Sequence, residues 1–427
     1  MKKLLAWGDY VAPTGFSQVM SNILKRLPED EWDITVLAVN YDGDPDYEKE
    51  RFPGKIYPAK SGMVKPGTIY DDYMGRQKFI DMVREGDFDL VFVNLDPWVI
   101  RDVMEFVEEL RLKKTSKSRK KFKLITYIPI DCVPREEWFK GFFNWSFHRP
   151  VLYSQYAKEE MSKLFFEFQP PGGWMVIPHG IDMNDYFPPN SPKDYDDIAE
   201  FRKNFFQNII HDEDFLLVNI NRNTRRKDLA RSLMVIKRLR ELDQRYYLYL
   251  HCFPNDDLGD ISKLAWHMGL KLGHDYFIPN NMTSNGYDIE TMRLIYWAAD
   301  GLISTTRGEG CGLSILEAMA TKTPVIAPDN TAISEMLRPL GPDNSHTKGL
   351  LVKSGGDYSL WDTSMDDLSV LRPLVDVESM VGTLYPPGFR MTGFENFAFS
   401  YVNKFHDWDK IVKNQWLPLF RSVLNAN

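Results

Sequence analysis

The chain has 427 residues, 43% of them hydrophobic and 26% charged, which exceeds the ~250–300 residues at which one core stops growing, so two domains are expected. A net charge of −8 argues against a protein coated all over in phosphate-seeking charge but leaves room for a local basic patch. Cys132, Cys252 and Cys311 are odd in number and far apart, so they suggest neither a disulfide framework nor a zinc cluster and suit a reducing compartment.

The opening MKKLLAWGDY carries a basic pair, but Gly8 and Asp9 break its apolar stretch too early for a signal peptide. No apolar run approaches the ~20 residues of a membrane-spanning helix, so the expectation is a cytoplasmic protein, at most peripheral to a membrane. Short apolar runs then alternate with longer amphipathic ones: KLLAW, FSQVMSNILKRL, DITVLAV, DLVFVNL, VIRDVMEFVEEL, KLITYIPI and PVLYS. Strands alternating with helices predict βαβ units and a parallel sheet covered on both faces. DMNDYFPPNSPKDYDD, with Pro188, Pro189 and Pro192, interrupts the periodicity and predicts a hinge near residues 183 to 195. A second series follows: DFLLVNI, RSLMVIKRLRELD, RYYLYLH, YDIETMRLIYWAAD, GLISTT, LSILEAMATK and PVIAP. The fold class is therefore α/β, with one domain over 1–185 and another over 195–400.

Open parallel sheets bind ligands beyond the carboxyl ends of their strands. Function is expected in the loops GDYVAPTGFSQ, IDCVP, NRNTRRKD and RGEGCGLS, each of which follows a strand-like run. NRNTRRKD holds Arg222, Arg225, Arg226 and Lys227 and opens a helix; cations beside a helix N-terminus make a phosphate site, though a solvated basic turn has the same composition. RGEGCGLS has the same placement, and two such loops suggest a diphosphate between them. Ser314 to Glu317 fits a capping box, in which Glu317 would only cap its helix. A carboxylate beside a phosphate site otherwise needs neutral partners, and vicinal hydroxyls can donate twice to one carboxylate. Arg and Lys for a diphosphate, with Glu309 and Glu317 for two sugars, describe a nucleotide-sugar site.

The stretch from Glu309 to Ala327 resembles the signature EGFGLxxLEAMAxGxPVIA of retaining, nucleotide-sugar-dependent glycosyltransferases with two Rossmann-like domains facing a cleft, the GT-B architecture, in glycosyltransferase family 4. The resemblance extends to Glu335, to YWAADGLISTTRGE, to the spacing of Arg222 and Lys227, to IPHGID at 177–182, to VLYSQYAKEEM and to GDYVAPTGFSQVMSNIL with Gly15. It implies that Arg222 and Lys227 bind the diphosphate and that the backbone of Gly310, Cys311, Gly312 and Leu313 touches phosphate and donor sugar. Glu309 would hold the sugar hydroxyls and Glu317 the ribose, with no cofactor beyond the nucleotide-sugar co-substrate and no metal. It also implies that a C-terminal helix, about 405–427, completes the first domain.

Asn221 and Lys322 stand where the family has Gly, Cys311 where it has Phe, and His179 where it usually has Asn, which makes His179 a loop-shaping residue. The family's histidine after the fourth strand is not visible; Asp131 occupies that region, either stabilising developing oxocarbenium charge or capping the following segment. RLKKTSKSRKKFK, residues 111–123, has eight cations in thirteen positions. It reads as a solvated helix end or, through Lys117, Arg119, Lys120 and Lys121, as a patch steering a polyanion: an anionic membrane carrying a lipid acceptor, or DNA carrying a hydroxylated base. WGDYVAPTGFSQV resembles phage-encoded members, which favours DNA. The competing classes are an NAD-dependent oxidoreductase, which would need G-x-G-x-x-G spacing; a glycosidase using the paired Glu; a D-x-D metal-dependent transferase; and a non-catalytic sugar-nucleotide binder, which only turnover separates from an enzyme.

Overall fold

The computed structural model describes residues 1–11, 14–41, 43, 54–60, 72, 74–112, 122–142, 144–257, 259–279, 286–339, 347–363, 369–386 and 393–425. The cationic patch Lys117, Arg119, Lys120 and Lys121 lies outside the described residues. The chain divides into two compact units, one of Met1–Ile130, Pro134–His179 and Trp408–Asn427, the other of Asp131–Val133 and Gly180–Asp407.

The first unit runs β1 (Lys2–Asp9), α1 (Gly15–Leu24), β2 (Trp32–Val39), β3 (Lys55–Pro58), α2 (Arg76–Glu85), β4 (Leu90–Asn94), α3 (Pro97–Leu112), β5 (Lys123–Ile128), β6 (His148–Leu152), α4 (Gln155–Leu164) and β7 (Met175–Val176). The strands form one parallel sheet in the order β3-β2-β1-β4-β5-β6-β7. β4, LVFVN, and the middle of β1 are apolar because both faces are covered, and Leu4, Leu5, Ala6 and Trp7 are fully buried.

The second unit runs α5 (Pro192–Phe205), β8 (Phe215–Ile220), α6 (Leu229–Leu242), β9 (Tyr246–His251), a ribbon of β10 (Asn255–Asp256) and β11 (Gly259–Asp260), α7 (Ile261–His267), β12 (Tyr276–Phe277), α8 (Ile289–Ala298), β13 (Gly301–Ile303), α9 (Leu313–Ala320), β14 (Val325–Pro328), α10 (Thr331–Leu337), β15 (Leu350–Val352), a second ribbon of β16 (Trp361–Asp362) and β17 (Arg372–Pro373), α11 (Val377–Leu384) and α12 (Glu395–Phe405). The proline-rich stretch lies inside this unit, where Pro192 opens α5 behind a Ser191 cap. Its parallel sheet has the order β12-β9-β8-β13-β14-β15. Counted from β8, that is the doubly wound order 3-2-1-4-5-6, whose direction reverses between β8 and β13.

The chain then returns to the first unit through α13 (Trp408–Ile411), a π-helical turn and α14 (Leu417–Asn425). Trp416 sits edge-on to Tyr127 and Phe92 at 4.7 and 5.3 Å, and Phe420 sits 5.7 Å from Trp32. Residues 408–425 thus form part of the first unit's core.

Candidate active site

The reversal point of the second sheet places two loops side by side, Asn221–Asp228 after β8 and Ser304–Gly312 after β13. A buried chain of hydrogen bonds ties their roots: Asn219 Nδ2 donates to Ser232 Oγ at 2.9 Å, Ser232 Oγ meets Thr305 Oγ1 at 2.8 Å, and Thr305 Oγ1 donates to the Asp228 carbonyl at 2.9 Å. Higher up, the Arg307 N–H donates to the Arg226 carbonyl at 2.8 Å, and Arg226 Nη1 donates to the Gly308 carbonyl at 2.6 Å. The two loops are one bonded surface.

Charges are layered on that surface. Lys227 Nζ lies 2.6 Å from Glu309 Oε1, and Arg226 Nη1 lies 3.0 Å from Glu309 Oε2. Glu309 is 7% exposed. Burial alone would raise its carboxyl, but the Lys227 and Arg226 charges outweigh that and bring it down to about 2. Asp131 is held by Arg226 Nε at 3.1 Å and by Arg372 Nη2 at 3.2 Å, so it is an ion-pair partner and does not cap the following segment. Buried Asp228 accepts from Arg307 and Arg231 at 3.0 and 3.2 Å, while Asp362, on the β16–β17 ribbon, takes Arg225 at 3.3 Å and Arg307.

The glycine turn is shaped by close approach. A Cβ at Gly308 would stand 2.1 Å from the Asp131 carbonyl oxygen, so only glycine fits there. Gly312, at φ +94°, is the N-cap of α9. Gly310 and Cys311 are buried, and Leu313 is the first residue of the helix. The N–H groups of a helix's first turn have no partner within the helix and carry partial positive charge, which suits an anion.

The capping box expected from Ser314 and Glu317 does not form. The cap is Gly312, with no side-chain cap bond, so Ser314 is already inside the helix and Glu317 points into the core. There Glu317 is 5% exposed and accepts from Tyr296 Oη at 2.5 Å. Burial lifts its carboxyl to about 7, against the downward pull of hydrogen bonds from Tyr296 and Tyr186.

Of the residues expected at the site, the fold brings Lys227, Glu309 and Asp131 into one network with Arg226. Arg222 is not part of it: its side chain is 66% exposed and pairs with Asp256 Oδ1 and Oδ2 at 2.9 and 3.1 Å. Gly15 opens α1 in the first unit behind a Thr14–Ser17 capping box, with Thr14 Oγ1 donating to Asp9 at 2.8 Å. His179 is buried in the first unit against Tyr153 and Tyr127, ring centroids at 4.1 and 5.4 Å. In the sequence Arg226 is one member of a basic run, and Arg372, Asp362, Tyr186 and Tyr296 are not among the residues expected at the site. For Arg226 the signal was its place beside Lys227 and for Tyr296 its place at the head of YWAADGLISTTRGE; Arg372, Asp362 and Tyr186 sit in no motif.

Two parallel-sheet units, the second in the Rossmann strand order, define the GT-B class of fold. Solved structures of similar shape include sucrose-phosphate synthase from Thermosynechococcus elongatus (TM-score 0.71, 15% identity, covering all of both chains). HepE of Anabaena, in complex with UDP and glucose, has a TM-score of 0.66 at 15% identity, covering 99% of this chain and 100% of that one. The catalytic domain of starch synthase IV from Arabidopsis thaliana, bound to ADP and acarbose, has a TM-score of 0.65 at 13% identity and 99% coverage of both. No curated protein matches the sequence. Residues 258–362, within the second unit, match the family described as Glycosyl transferases group 1.

Proposed function

We propose that the chain is a retaining, metal-independent glycosyltransferase of family 4 that moves a hexose from a nucleotide diphosphate sugar, a UDP-sugar by preference, to an acceptor hydroxyl in the cytoplasm. The observation that carries this is the buried Lys227–Glu309 pair on the glycine turn at the reversal point of the second sheet. A ligand there meets a cation for phosphate and a carboxylate for hydroxyls within one hydrogen-bonded surface. The group 1 match over 258–362 and the nucleotide complexes of HepE and starch synthase IV support the same donor class.

In this reading Lys227, Arg222 and the first-turn N–H groups of α9 take the diphosphate. The Gly310–Leu313 backbone lies along the phosphates and sugar, Glu309 accepts from the sugar hydroxyls and Glu317 from the ribose. Gly15 lines the first unit's phosphate-side loop. The bond from the anomeric carbon to the diphosphate oxygen breaks, the bond to the acceptor oxygen forms on the same face, and the acceptor's proton passes to the departing diphosphate. Cations at the leaving group remove the need for a divalent ion, and Asp131 stabilises positive charge at the anomeric carbon. The acceptor is a polyanion steered by Lys117, Arg119, Lys120 and Lys121, with hydroxymethylated pyrimidine in DNA favoured over a lipid-linked or small sugar; the resemblance of the opening loop to phage-encoded enzymes supports that choice.

Isothermal titration with UDP, GDP and ADP tests donor binding: Glu317→Ala should weaken it by ~1–3 kcal/mol, and binding of none of the three, or unchanged binding by the variant, refutes the site. Transfer of labelled sugar in excess EDTA should persist; activity that is lost and then restored by magnesium or manganese would overturn metal independence. Label appearing only on anionic liposomes or small sugars, and not on DNA with 5-hydroxymethyl pyrimidines, would reject the DNA acceptor and keep the transferase. Binding without any turnover would leave a non-catalytic nucleotide-sugar binder.

A further inference from the structure

Glu317 is buried on α9 in the second unit's core, among Leu316, Ala318 and Ile315. A carboxylate is costly there unless it is hydrogen-bonded, and what holds it is the phenol of Tyr296, with the phenol of Tyr186 packed beside it. Tyr296, on α8, is fully buried and donates at 2.5 Å. Tyr186, from the segment before α5, is 8% exposed and packs edge-on to Tyr296 at 5.9 Å between ring centroids, close enough for its hydroxyl to favour the ionised Glu317. Asp185 and Arg293 act on Tyr186 with opposite signs, and Tyr401, on α12, faces Glu335 and Cys311.

A site that only filled the core would be served by a neutral side chain. A carboxylate ringed by donors is a pure acceptor whose remaining lone pairs accept from a further hydroxyl. We propose that Tyr186 and Tyr296 are positioning residues for the donor nucleotide, clamping Glu317 in the one rotamer from which it accepts the ribose hydroxyls. This rests on the reading that a nucleotide sugar binds the second unit.

The clamp has a sign that can be measured. The ionised carboxylate is the better acceptor, so nucleotide affinity rises with pH through about 7, where burial holds the group. Both phenol bonds favour the ionised form, so removing one hydroxyl raises the midpoint. For Tyr296→Phe the midpoint moves up by about one pH unit, which is about a fivefold loss of affinity at pH 7 that is recovered above about pH 8.5. The experiment titrates UDP, ADP and GDP across this range into wild type, Tyr296→Phe, Tyr186→Phe and Glu317→Gln. In parallel, the Glu317 carboxyl is followed by ¹³C resonance without nucleotide, assigned by its absence in Glu317→Gln. Midpoints raised in both phenylalanine variants, with weak and pH-independent binding by Glu317→Gln, are expected. Wild-type curves from both phenylalanine variants, or a ¹³C midpoint that Tyr296→Phe leaves in place, overturn the clamp. No nucleotide binding by wild type at any pH, with a ¹³C midpoint that still moves, refutes the donor reading instead.

Discussion

Replacing Lys227 by Met keeps most of the side chain's length and removes its charge from Glu309. The carboxyl of Glu309 falls from 4.5 to about 2, and a depression of that size corresponds to about 3 kcal/mol in favour of the ionised form. Because the folded value is the lower one, this stabilisation is fully present above about pH 4.5 and is lost as pH falls toward 2. Burial also lowers the Lys227 ammonium, which offsets part of the gain, and Arg226 still reaches Glu309 at 3.0 Å after the change. The expected loss for Lys227→Met is therefore about 1–3 kcal/mol at pH 7, below the cost of leaving a buried charge wholly alone, and it shrinks at pH 3. Glu309→Gln alone leaves Lys227 without its paired carboxylate, while Arg226 keeps Asp131 at 3.1 Å. The double variant removes both members and should recover most of the stability while still failing to bind UDP. Urea unfolding at pH 7 and pH 3, with calorimetric titration of UDP, reads both quantities. A Lys227→Met protein as stable as wild type at pH 7, or a double variant that binds UDP normally, would refute this account of the pair.

Gly308→Ala places a methyl 2.1 Å from the Asp131 carbonyl, so the turn must move by roughly 1 Å, at about 1–3 kcal/mol. Because Arg226 is bonded to the Gly308 carbonyl, donor affinity should fall along with the melting temperature; a titration and a melt that both match wild type would exclude the close approach. Asp228 adopts φ +49° and bonds Arg307 and Arg231. Asn tolerates that backbone and keeps an acceptor, so Asp228→Ala should destabilise more than Asp228→Asn, by about 1 kcal/mol in chemical denaturation; equal losses would count against the side-chain bonds. Lys322, where the resembling family has Gly, sits at φ +61° with its ammonium 5.5 Å from the Phe399 ring. Lys322→Gly should relieve the left-handed strain and stabilise by about 0.5–1 kcal/mol; a lower melting temperature would mean that the ring contact outweighs it.

The strands could be read because they are buried on both faces and so appear as unbroken apolar runs, β8 and β14 among them. Their order could not, since the reversal between β8 and β13 depends on which strands pair, a tertiary matter on which local composition is silent. The glycine turn could be read, yet the Ser314–Glu317 spacing misled: it begins two residues past the true cap, Gly312, and a capping box has no meaning there. Within NRNTRRKD three arginines look alike, and only the path of the backbone sends Arg226 to Glu309 and Arg222 out to Asp256. Tyr186 lies in the acidic, proline-rich DMNDYFPPN, which reads as a connection, and Tyr296, in the apolar LIYWAA, reads as core. Arg372 reaches Asp131 from a ribbon more than 200 residues along the chain, where no periodicity or motif marks it.

The aromatic residues of 408–425 have a consequence for synthesis. Trp32, Phe92 and Tyr127 leave the ribosome long before Trp416 and Phe420, which cover them in the finished unit. The whole of Gly180–Asp407 is made in between, more than 200 residues, or roughly 10–45 s of translation at 5–20 residues per second. Throughout that interval part of the first unit's core is uncovered, and when it ends the second unit has all of its segments while the first still lacks Trp408–Asn427. The first unit to begin is therefore the last to be complete, and a nascent chain stopped before Trp408 lacks the Trp416 and Phe420 rings that cover Trp32, Phe92 and Tyr127.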